Sequence, residues 1–588
     1  MQLKKYFELY SKSLRLIFRA DVKVTLLILL IVPIQYLIPT LNVWVSNVLI
    51  NLVAQQQFSS VNLYLIFWSV LFVLNNLTVP LNVFLQGQLT DKLTLYLNTS
   101  LIDKTEEMKT IELFEDSEFY DDINVIQSEA SWRPVNLIVF GSSVIGNLIT
   151  LISMLWLLVD FHLLIAVAIL IVLIPQGLMF YKIQQQAFET LVSNSPESRK
   201  LNYYGSLSLS NQAIKEVKMY NMHSFIKNKY LDTYKKIIVG VKNNRLKQFS
   251  ISISFLFVTA LISVGGFVYV LNGVTKGRFA AGSILIFSSA IVYTMQSMSR
   301  VIEESSLLYD TLLYMERYFN FMGASVSTSN SNVSVDTFSK ISVDNLSFRY
   351  PNTTVNVLNQ VSFDIEKGQK IAIVGENGSG KTTLVKLLCG LYQAPDNAIK
   401  IDNMSINSLD ITQYRSLIAT VFQDYYRYNF TLKENINISD LTNTNEADIV
   451  LALTKSGFYP EKSNIDLDQQ LGKIFADATD LSGGEWQKIA LSRAFFADKD
   501  ILILDEPTAA IDAKLENKIY KQFLELSTGK TVIFVTHRLS SVKKADKVLL
   551  IKHGEVVAFS SHEELMQSND YYKELYQLQA EPYSSLLD

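Results

Sequence analysis

Six long apolar runs fill the first half of the chain and constrain its fold more than any other sequence feature. They cover residues 22–50, 61–85, 135–159, 161–183, 249–271 and 280–298. Each run approaches the ~20 residues that a helix needs to cross a bilayer. A single run of this kind is also compatible with a buried core helix, but six of them together favour membrane spans. The sequence therefore predicts six transmembrane helices in a lipid bilayer.

The distribution of charge predicts which side of the membrane each end faces. Basic residues precede and open the first run, namely Lys4, Lys5, Lys12, Arg15, Arg19 and Lys23. Positive charge is retained in the cytoplasm, and segment 51–60 between the first two runs has no charged residue. The first run is too long for a signal-peptide core and no small-residue cleavage site follows it. Six crossings then place both termini in the cytoplasm.

Two long connections, 90–134 and 182–248, separate the spans on the cytoplasmic side. Both keep a helical period, as in Leu93, Leu97 and Leu101, so we expect the membrane helices to continue into the cytoplasm. Residues 113–121 and 215–220 are expected near the tips, where a short helix crosses from one long helix to the next. Plain solvated charge on a helix is the alternative explanation for these polar runs.

Beyond a Ser- and Asn-rich stretch, the sequence changes to short apolar strands that alternate with helical segments. This alternation is typical of an α/β fold with a mostly parallel sheet. We therefore predict a multi-domain membrane protein, with a six-helix transmembrane domain over residues 1–322, a linker over 323–338 and an α/β domain over 339–588. The net charge of −4 argues against nucleic acid as a partner. With Cys389 as its one cysteine, the chain excludes an internal disulfide and a Cys-ligated zinc site.

A P-loop, G-x-x-x-x-G-K-T, follows the apolar strand 370–374 and precedes a helical segment. Its glycines let backbone N–H groups turn toward phosphate oxygens, and the helix start adds positive potential. Lys381 is expected to reach the β- and γ-phosphates of a nucleotide, and the Thr382 hydroxyl to bind Mg²⁺. The predicted nucleotide-binding residues here are Gly375, Asn377, Gly378, Ser379, Gly380, Lys381, Thr382 and Thr383.

A second buried strand, 501–504, ends in two acidic residues, Asp505 and Glu506. Asp505 is placed to hold Mg²⁺, and Glu506 to orient or deprotonate the attacking water. Capping of the next element is the structural alternative for both. Upstream of this strand, a predicted helix continues from Trp486. The short polar run at its start consists of Ser482, Gly483, Gly484 and Glu485.

This combination of motifs resembles the ATP-binding cassette (ABC) family, and the whole chain resembles a half-size ABC exporter. The resemblance implies ATP and Mg²⁺ as cofactors, with Tyr350 stacking on adenine and Gln423 contacting Mg²⁺ and the lytic water. It implies that Asp512 lies in the D-loop and that His537 contacts the γ-phosphate. It also implies a homodimer in which Ser482 and Gly484 of one subunit face the nucleotide on Lys381 of the other, and alternating access driven by ATP.

Within the family, the sequence at Trp486 and over residues 118–121 resembles that of exporters of lantibiotic and bacteriocin peptides in the bacterial cell membrane. Glu485 stands where glutamine is usual and Ala478 where glycine is expected. The roughly 20 residues before the first run contain no Cys or His, so we expect no leader-peptidase domain there. A lipid or multidrug exporter is the alternative, followed by an importer or an ATP-gated channel; a channel would need a non-hydrolytic site, and Glu506 is intact.

The predicted spans carry amide side chains that are candidate substrate contacts. Such residues equally act as hydrogen-bonding links between helices. Arg300, Glu303 and Glu304 lie at the inner end of the sixth run, and the rest of the path is polar but nearly uncharged. Such a path suits a peptide at least as well as a strongly anionic lipid. The amide residues are Gln35, Asn42, Asn75, Asn76, Asn82, Gln86, Asn147, Gln176 and Gln296.

Overall fold

The chain divides into two compact units in a computed structural model. The helical unit contains Met1–Thr105 and Asp121–Ala324, and the α/β unit contains Glu106–Tyr120 and Ser325–Asp588. We call Glu106–Tyr120 the first-loop segment. The structure describes residues 2–129, 133–159, 163–191, 196–211, 213–324, 333, 335–351, 353–506, 529–536 and 539–584.

The described part of the helical unit is built from long helices. They are α1 (Gln2–Ala20), α2 (Val22–Ala54), α3 (Phe58–Glu107), α4 (Ser117–Glu129), α5 (Arg133–Val159), α6 (Leu163–Leu191), α7 (Pro196–Leu207), α8 (Ile214–Met219), α9 (His223–Thr275) and α10 (Ser283–Met322).

Six of these helices cover the six predicted apolar runs. Among the described residues, α2, α3, α5 and α9 are long and apolar enough to cross a membrane, and α6 contains the shorter apolar stretch Leu163–Met179. The sixth helix, α10, begins where predicted but is less apolar. Large side chains such as Trp156 and Phe257 remain 75% and 67% exposed, as expected of surfaces that face lipid. The chain is a multi-pass membrane protein.

The length of two helices confirms that the spans continue beyond the membrane. α3 has 50 residues and α9 has 53. At ~1.5 Å per residue each is roughly 75–80 Å long, more than twice the ~30 Å hydrocarbon core. On α3, Leu89, Leu93 and Leu97 recur every fourth residue and are buried against Tyr318 of α10. The helical period predicted for this region is therefore the packing face of α3.

The α/β unit contains ten described strands. They are β1 (Lys340–Phe348), β2 (Leu358–Glu366), β3 (Lys370–Val374), β4 (Ile399–Ile401), β5 (Met404–Ser405), β6 (Ile418–Val421), β7 (Ile501–Asp505), β8 (Thr531–Val535), β9 (Lys547–Lys552) and β10 (Glu555–Ser560).

The described helices of this unit are mostly short. They are α11 (Lys381–Leu388), α12 (Ile411–Ser416), α13 (Leu432–Asn437), α14 (Glu446–Lys455), α15 (Pro460–Ser463), α16 (Gly483–Ala497), α17 (His562–Ser568) and α18 (Asp570–Ser584), with 3₁₀ turns at Glu112–Glu115, Ile406–Ser408 and Leu539–Lys544.

A six-stranded sheet in the order β10-β9-β3-β8-β7-β6 forms the centre of the α/β unit. The strands from β9 to β6 are parallel, as predicted, and β10 is antiparallel to β9 at one edge. β7 and β8 are buried along their whole length, which explains their continuous apolar sequences. β3 and β7 flank β8 and run in the same direction. The P-loop and the acidic pair therefore leave the sheet at the same end, the carboxyl end of the parallel strands.

A second, antiparallel sheet in the order β2-β1-β4-β5 packs beside this core. Register shifts interrupt the pairing of β1 with β2. Cys389 ends α11 inside the same apolar core and is 4% exposed. Burial raises the pKa of its thiol to about 12, so Cys389 is the small buried side chain that we expected.

Candidate nucleotide-binding site

The P-loop connects β3 to α11 with a backbone that requires glycine. Gly378 and Gly380 have φ of +78° and +101°, a region that other residues adopt only with strain. A Cβ on Gly375 would lie 2.2 Å from the carbonyl oxygen of Ile551, and one on Gly380 would lie 2.7 Å from Leu358. The chain therefore passes too close to its neighbours for any side chain at these two positions.

Lys381 is the first residue of α11, its side chain folds back over the loop, and it is 4% exposed. Its Nζ donates to the carbonyl oxygens of Gly375 at 3.0 Å and Glu376 at 2.9 Å. Burial lowers the pKa of this ammonium, while the nearby carboxylates of Glu506 and Asp505 act in the opposite direction. A cation so deeply placed at a helix start is suited to an anionic ligand such as phosphate.

Asp505 and Thr382 meet at the carboxyl end of the parallel strands, as their positions in the sequence predicted. Asp505 is fully buried, and its Oδ1 accepts a long 3.4 Å hydrogen bond from the Thr382 hydroxyl. Its Oδ2 has no hydrogen-bond partner among the described residues. Burial raises the pKa of Asp505 to about 6. A cation beside this carboxylate would provide the compensating charge.

Glu506 leaves the strand in the left-handed conformation, with φ of +46°. Its backbone N–H donates to the carbonyl oxygen of Val535 at 3.2 Å, and its carboxylate accepts from Nε2 of Gln423 at 3.2 Å. Gln423 follows β6, on the other side of β7. The structure thus brings together five predicted residues: Lys381, Thr382, Gln423, Asp505 and Glu506.

Tyr350 lies beside α11. Its hydroxyl shares a 2.9 Å hydrogen bond with Thr383 Oγ1. Its ring packs edge-on against Phe348 and Tyr392, with centroids 5.4 and 5.5 Å away. Tyr350 also lines an open groove of about 670 Å³ with Arg349, Pro395 and other residues.

The polar run before Trp486 forms a capping box at the start of α16. Ser482 Oγ accepts from the Glu485 N–H, and Glu485 Oε2 accepts from the Ser482 N–H at 2.9 Å and from its hydroxyl at 2.8 Å. Because glutamine also closes a capping box, the departure at Glu485 preserves the local fold. A Cβ on Gly483 or Gly484 would meet no described atom within 4 Å, so packing within the chain does not require these glycines.

Two predicted residues, Asp512 and His537, lie outside the residues that the structure describes. Thr536, immediately before His537, is described and buried at the end of β8. Residues 113–120 of the predicted first coupling loop belong to the α/β unit. Sequence reasoning missed the residues that contact this loop, Tyr392 and Arg415, because neither belongs to a recognisable motif.

Two aromatic residues at the end of the first-loop segment allow a test of whether this segment couples transport to ATP hydrolysis. Phe119 packs edge-on against Phe114 with centroids 5.9 Å apart, and Tyr120 is 55% exposed. We expect replacement of Phe119 and Tyr120 by Ala to lower substrate-stimulated ATPase by about fivefold and basal ATPase much less, because coupling free energies between sites are of this size.

Both rates would be measured in nanodiscs with candidate peptides. Phe58→Ala is the control, since Phe58 is similarly exposed but lies at the start of α3, outside the first-loop segment. Equal loss of both rates in the Phe119 and Tyr120 variant would indicate misfolding, and no loss would remove these residues from the coupling interface.

Comparison with known proteins agrees with this site. Residues 358–509 match the family model described as ABC transporter. The subtilin transport ATP-binding protein of Bacillus subtilis is 30% identical over 78% of this chain and 75% of its own length. The nisin transport ATP-binding protein of Lactococcus lactis is 31% identical over 78% and 77%.

Two further comparisons are more distant. An ATP-dependent lipid A-core flippase of Vibrio vulnificus is 27% identical over 78% of this chain and 77% of its own. A bacterial Atm1-family ABC exporter, solved with ATP bound, has the same fold, with a TM-score of 0.77 over 96% of this chain and 98% of that one, at 19% identity.

The apolar helices and the P-loop site together define a membrane-embedded ATPase. The similarity to the two relatives of 30% and 31% identity covers 78% of the chain and so includes parts of both units. The chain belongs to the ABC transporter family as a half-size exporter. ATP binding at the P-loop and ATP hydrolysis coupled to transport follow from that membership. The predicted fold class is confirmed.

Proposed function

We propose that this chain exports a small ribosomally made peptide of the lantibiotic or bacteriocin kind across the bacterial cell membrane. The observation that carries this proposal is the similarity, over 78% of the chain, to two relatives named for transport of subtilin and nisin. Both are more similar to this chain than the lipid A-core flippase, at 27% identity. Helices with few charged side chains suit an amphipathic peptide, and both termini are placed in the cytoplasm by the charge pattern.

For the nucleotide site, we propose that the P-loop and Lys381 hold the phosphates of ATP and that Tyr350 stacks on the adenine. Mg²⁺ would be held by Thr382, Gln423 and Asp505, a hydroxyl, an amide and a carboxylate, which are the oxygen donors that this ion prefers. The unpartnered Oδ2 of buried Asp505 fits that assignment. When bound, Mg²⁺ neutralises charge on the β- and γ-phosphates. Glu506, held by Gln423, orients the attacking water.

The working unit in this proposal is a homodimer with two composite nucleotide sites. The open space beside Gly483 and Gly484 supports the homodimer. Without side chains in the way, the backbone N–H groups at this helix start are suited to contact a phosphate held by a second subunit. Asp512 and His537 take the D-loop and switch roles that the family resemblance implies. We propose the domain bounds 1–322, 323–338 and 339–588 for the transmembrane domain, the linker and the ATPase domain.

A lipid or multidrug exporter is the second candidate. The similarity to lipid A-core flippases favours it, although these match at lower identity or over a smaller share of this chain. An ATP-gated channel has less support, since a channel would need a non-hydrolytic site and the carboxylate of Glu506 is present in contact with Gln423. An importer of the same fold would use the same hydrolytic site and differ in the direction of transport. Substrate identity therefore separates the two main candidates.

The test of the proposed substrate is deletion of the gene, followed by mass spectrometry of small peptides inside and outside the cell. We expect one peptide to disappear from the medium, with or without its leader, because no other route carries it across the bilayer. Complementation by the normal gene should restore secretion, and complementation by a Glu506→Gln gene should not. Unchanged secretion of every small peptide, with accumulation of a lipid or a drug, would establish the second candidate instead.

A further inference from the structure

Within the α/β unit, the first-loop segment is bound to the chain that immediately follows α11. The Ile111 N–H donates to the carbonyl oxygen of Leu391 at 2.9 Å, and the Gln393 N–H donates to Glu112 Oε1 at 2.8 Å. Arg415 adds a bond from Nη2 to the carbonyl oxygen of Lys109 at 2.5 Å. Two of the three bonds engage main-chain groups of the segment itself, at Lys109 and Ile111, and fix its backbone there, while the third holds the Glu112 side chain.

Tyr392 lies between two of these anchor points and is 1% exposed. Its hydroxyl donates to Glu115 Oε1, and Lys386 Nζ lies 4.0 Å from the same oxygen. Burial and the Glu115 carboxylate both raise the pKa of Tyr392, so the hydroxyl remains protonated and able to donate. Tyr392 is thus a buried side chain whose polar end holds the first-loop segment.

The ring of Tyr392 contacts the nucleotide site. It packs edge-on against Tyr350 at 5.5 Å with an interplanar angle of 84°, and against Phe348 at 5.4 Å with an angle of 60°. Tyr350 is in turn bonded to Thr383, which follows the P-loop. Buried, close-packed rings transmit displacements because no space is available to absorb them. One side chain therefore touches both the first-loop segment and the residue proposed to stack on adenine.

We propose that Tyr392 is a positioning residue that links nucleotide-base binding on Tyr350 to the first-loop segment. A base packed on Tyr350 restricts that ring, Tyr350 restricts Tyr392, and the hydroxyl of Tyr392 restrains Glu115. The link is separate from the contact between Gln423 and Glu506, which lies at the phosphate end of the site. It rests on the role of Tyr350 proposed above. Because linkage is reciprocal, ordering of the segment also raises the affinity for nucleotide.

Hydrogen exchange of the full-length protein in nanodiscs tests the link without knowledge of the transported substrate. The probe is the magnesium complex of adenylyl imidodiphosphate, a non-hydrolysable ATP analogue. In the unmodified protein we expect this probe to slow exchange both in residues 375–383 and in residues 106–120. In Tyr392→Phe, which keeps the ring and removes the hydroxyl, the slowing in 106–120 should fall on the order of fivefold. The slowing in 375–383 should persist.

Two further variants make the result specific. Glu115→Ala removes the other partner of the same hydrogen bond and should reproduce the effect, with no further loss in the double variant. Tyr414→Phe is the matched control, since the Tyr414 hydroxyl is also buried but donates to the carbonyl oxygen of Leu388 and not to the first-loop segment. It should leave the slowing in 106–120 intact.

The possible outcomes separate this link from the nucleotide site itself. Normal slowing in 106–120 in Tyr392→Phe would overturn the link, as would an equal loss in Tyr414→Phe. Absence of slowing in 106–120 in the unmodified protein, with 375–383 protected, would also overturn it while leaving the nucleotide site in place. Absence of slowing in 375–383 would instead refute the proposed nucleotide site.

Discussion

Replacement of Glu506 by Gln should leave ATP binding intact and reduce the maximal ATPase rate by about 100-fold or more, the usual contribution of a positioned general base. The change is nearly isosteric, and the new side-chain oxygen can still accept from Nε2 of Gln423. Lys381 and Thr382, the proposed ligands of the phosphates and of Mg²⁺, are untouched. What is lost is the carboxylate that we propose orients the attacking water and accepts its proton.

Steady-state ATPase assays and nucleotide titration of the purified protein would measure the two effects separately. Asp344→Asn is the matched control, because it makes the same acid-to-amide change in a carboxylate that is paired with Lys400 on the surface. A Glu506→Gln protein with near-normal ATPase activity would show that another group activates the water.

If the active unit is a homodimer with composite sites, two different inactive variants of the chain should regain ATPase activity when they are combined. Lys381→Ala removes the ammonium from one face of a site. Gly484→Asp places a carboxylate on the other face, where the chain has room for a side chain and the fold should tolerate it. Each homodimer should lose about 100-fold or more in ATPase rate, because every site then carries one defect.

In a random mixture, half of the dimers combine one chain of each kind, and each of these contains one intact site. Activity should therefore recover to roughly a quarter of the normal value if the sites act independently. Proteins purified separately and reconstituted in separate nanodiscs serve as the control. Failure of the mixture, with both chains folded and co-purifying, would mean that each site is built within a single chain or that a different partner completes it.

The P-loop and the acidic pair were predictable because each lies at a strand end whose position the sequence defines. The apolar residues before Gly375 and Asp505 identify two buried parallel strands, and parallel strands deliver their carboxyl ends to one edge. That reasoning predicted the proximity of Thr382 to Asp505. The six apolar runs likewise depend on local composition alone, which is why α10, the most polar of them, is the least distinct span.

Features that depend on distant pairing were not predictable from the chain. The antiparallel sheet is interrupted by register shifts, and its strand β5 has two residues, too few for a pattern. The contact between Glu115 and Tyr392 joins residues 277 positions apart, and the sequence carries no periodicity or motif for it. The left-handed φ of Glu506 also has no local signal, because glutamate does not favour that conformation.

The burial of Cys389 has a practical consequence for spectroscopy. A thiol that is 4% exposed, with its pKa raised to about 12, presents almost no thiolate to a maleimide or methanethiosulfonate reagent. Since the chain has no other cysteine, a new cysteine on an exposed position should be labelled selectively in the otherwise unmodified protein. Spin labels or fluorophores can therefore report transport-linked distances without prior replacement of a core residue.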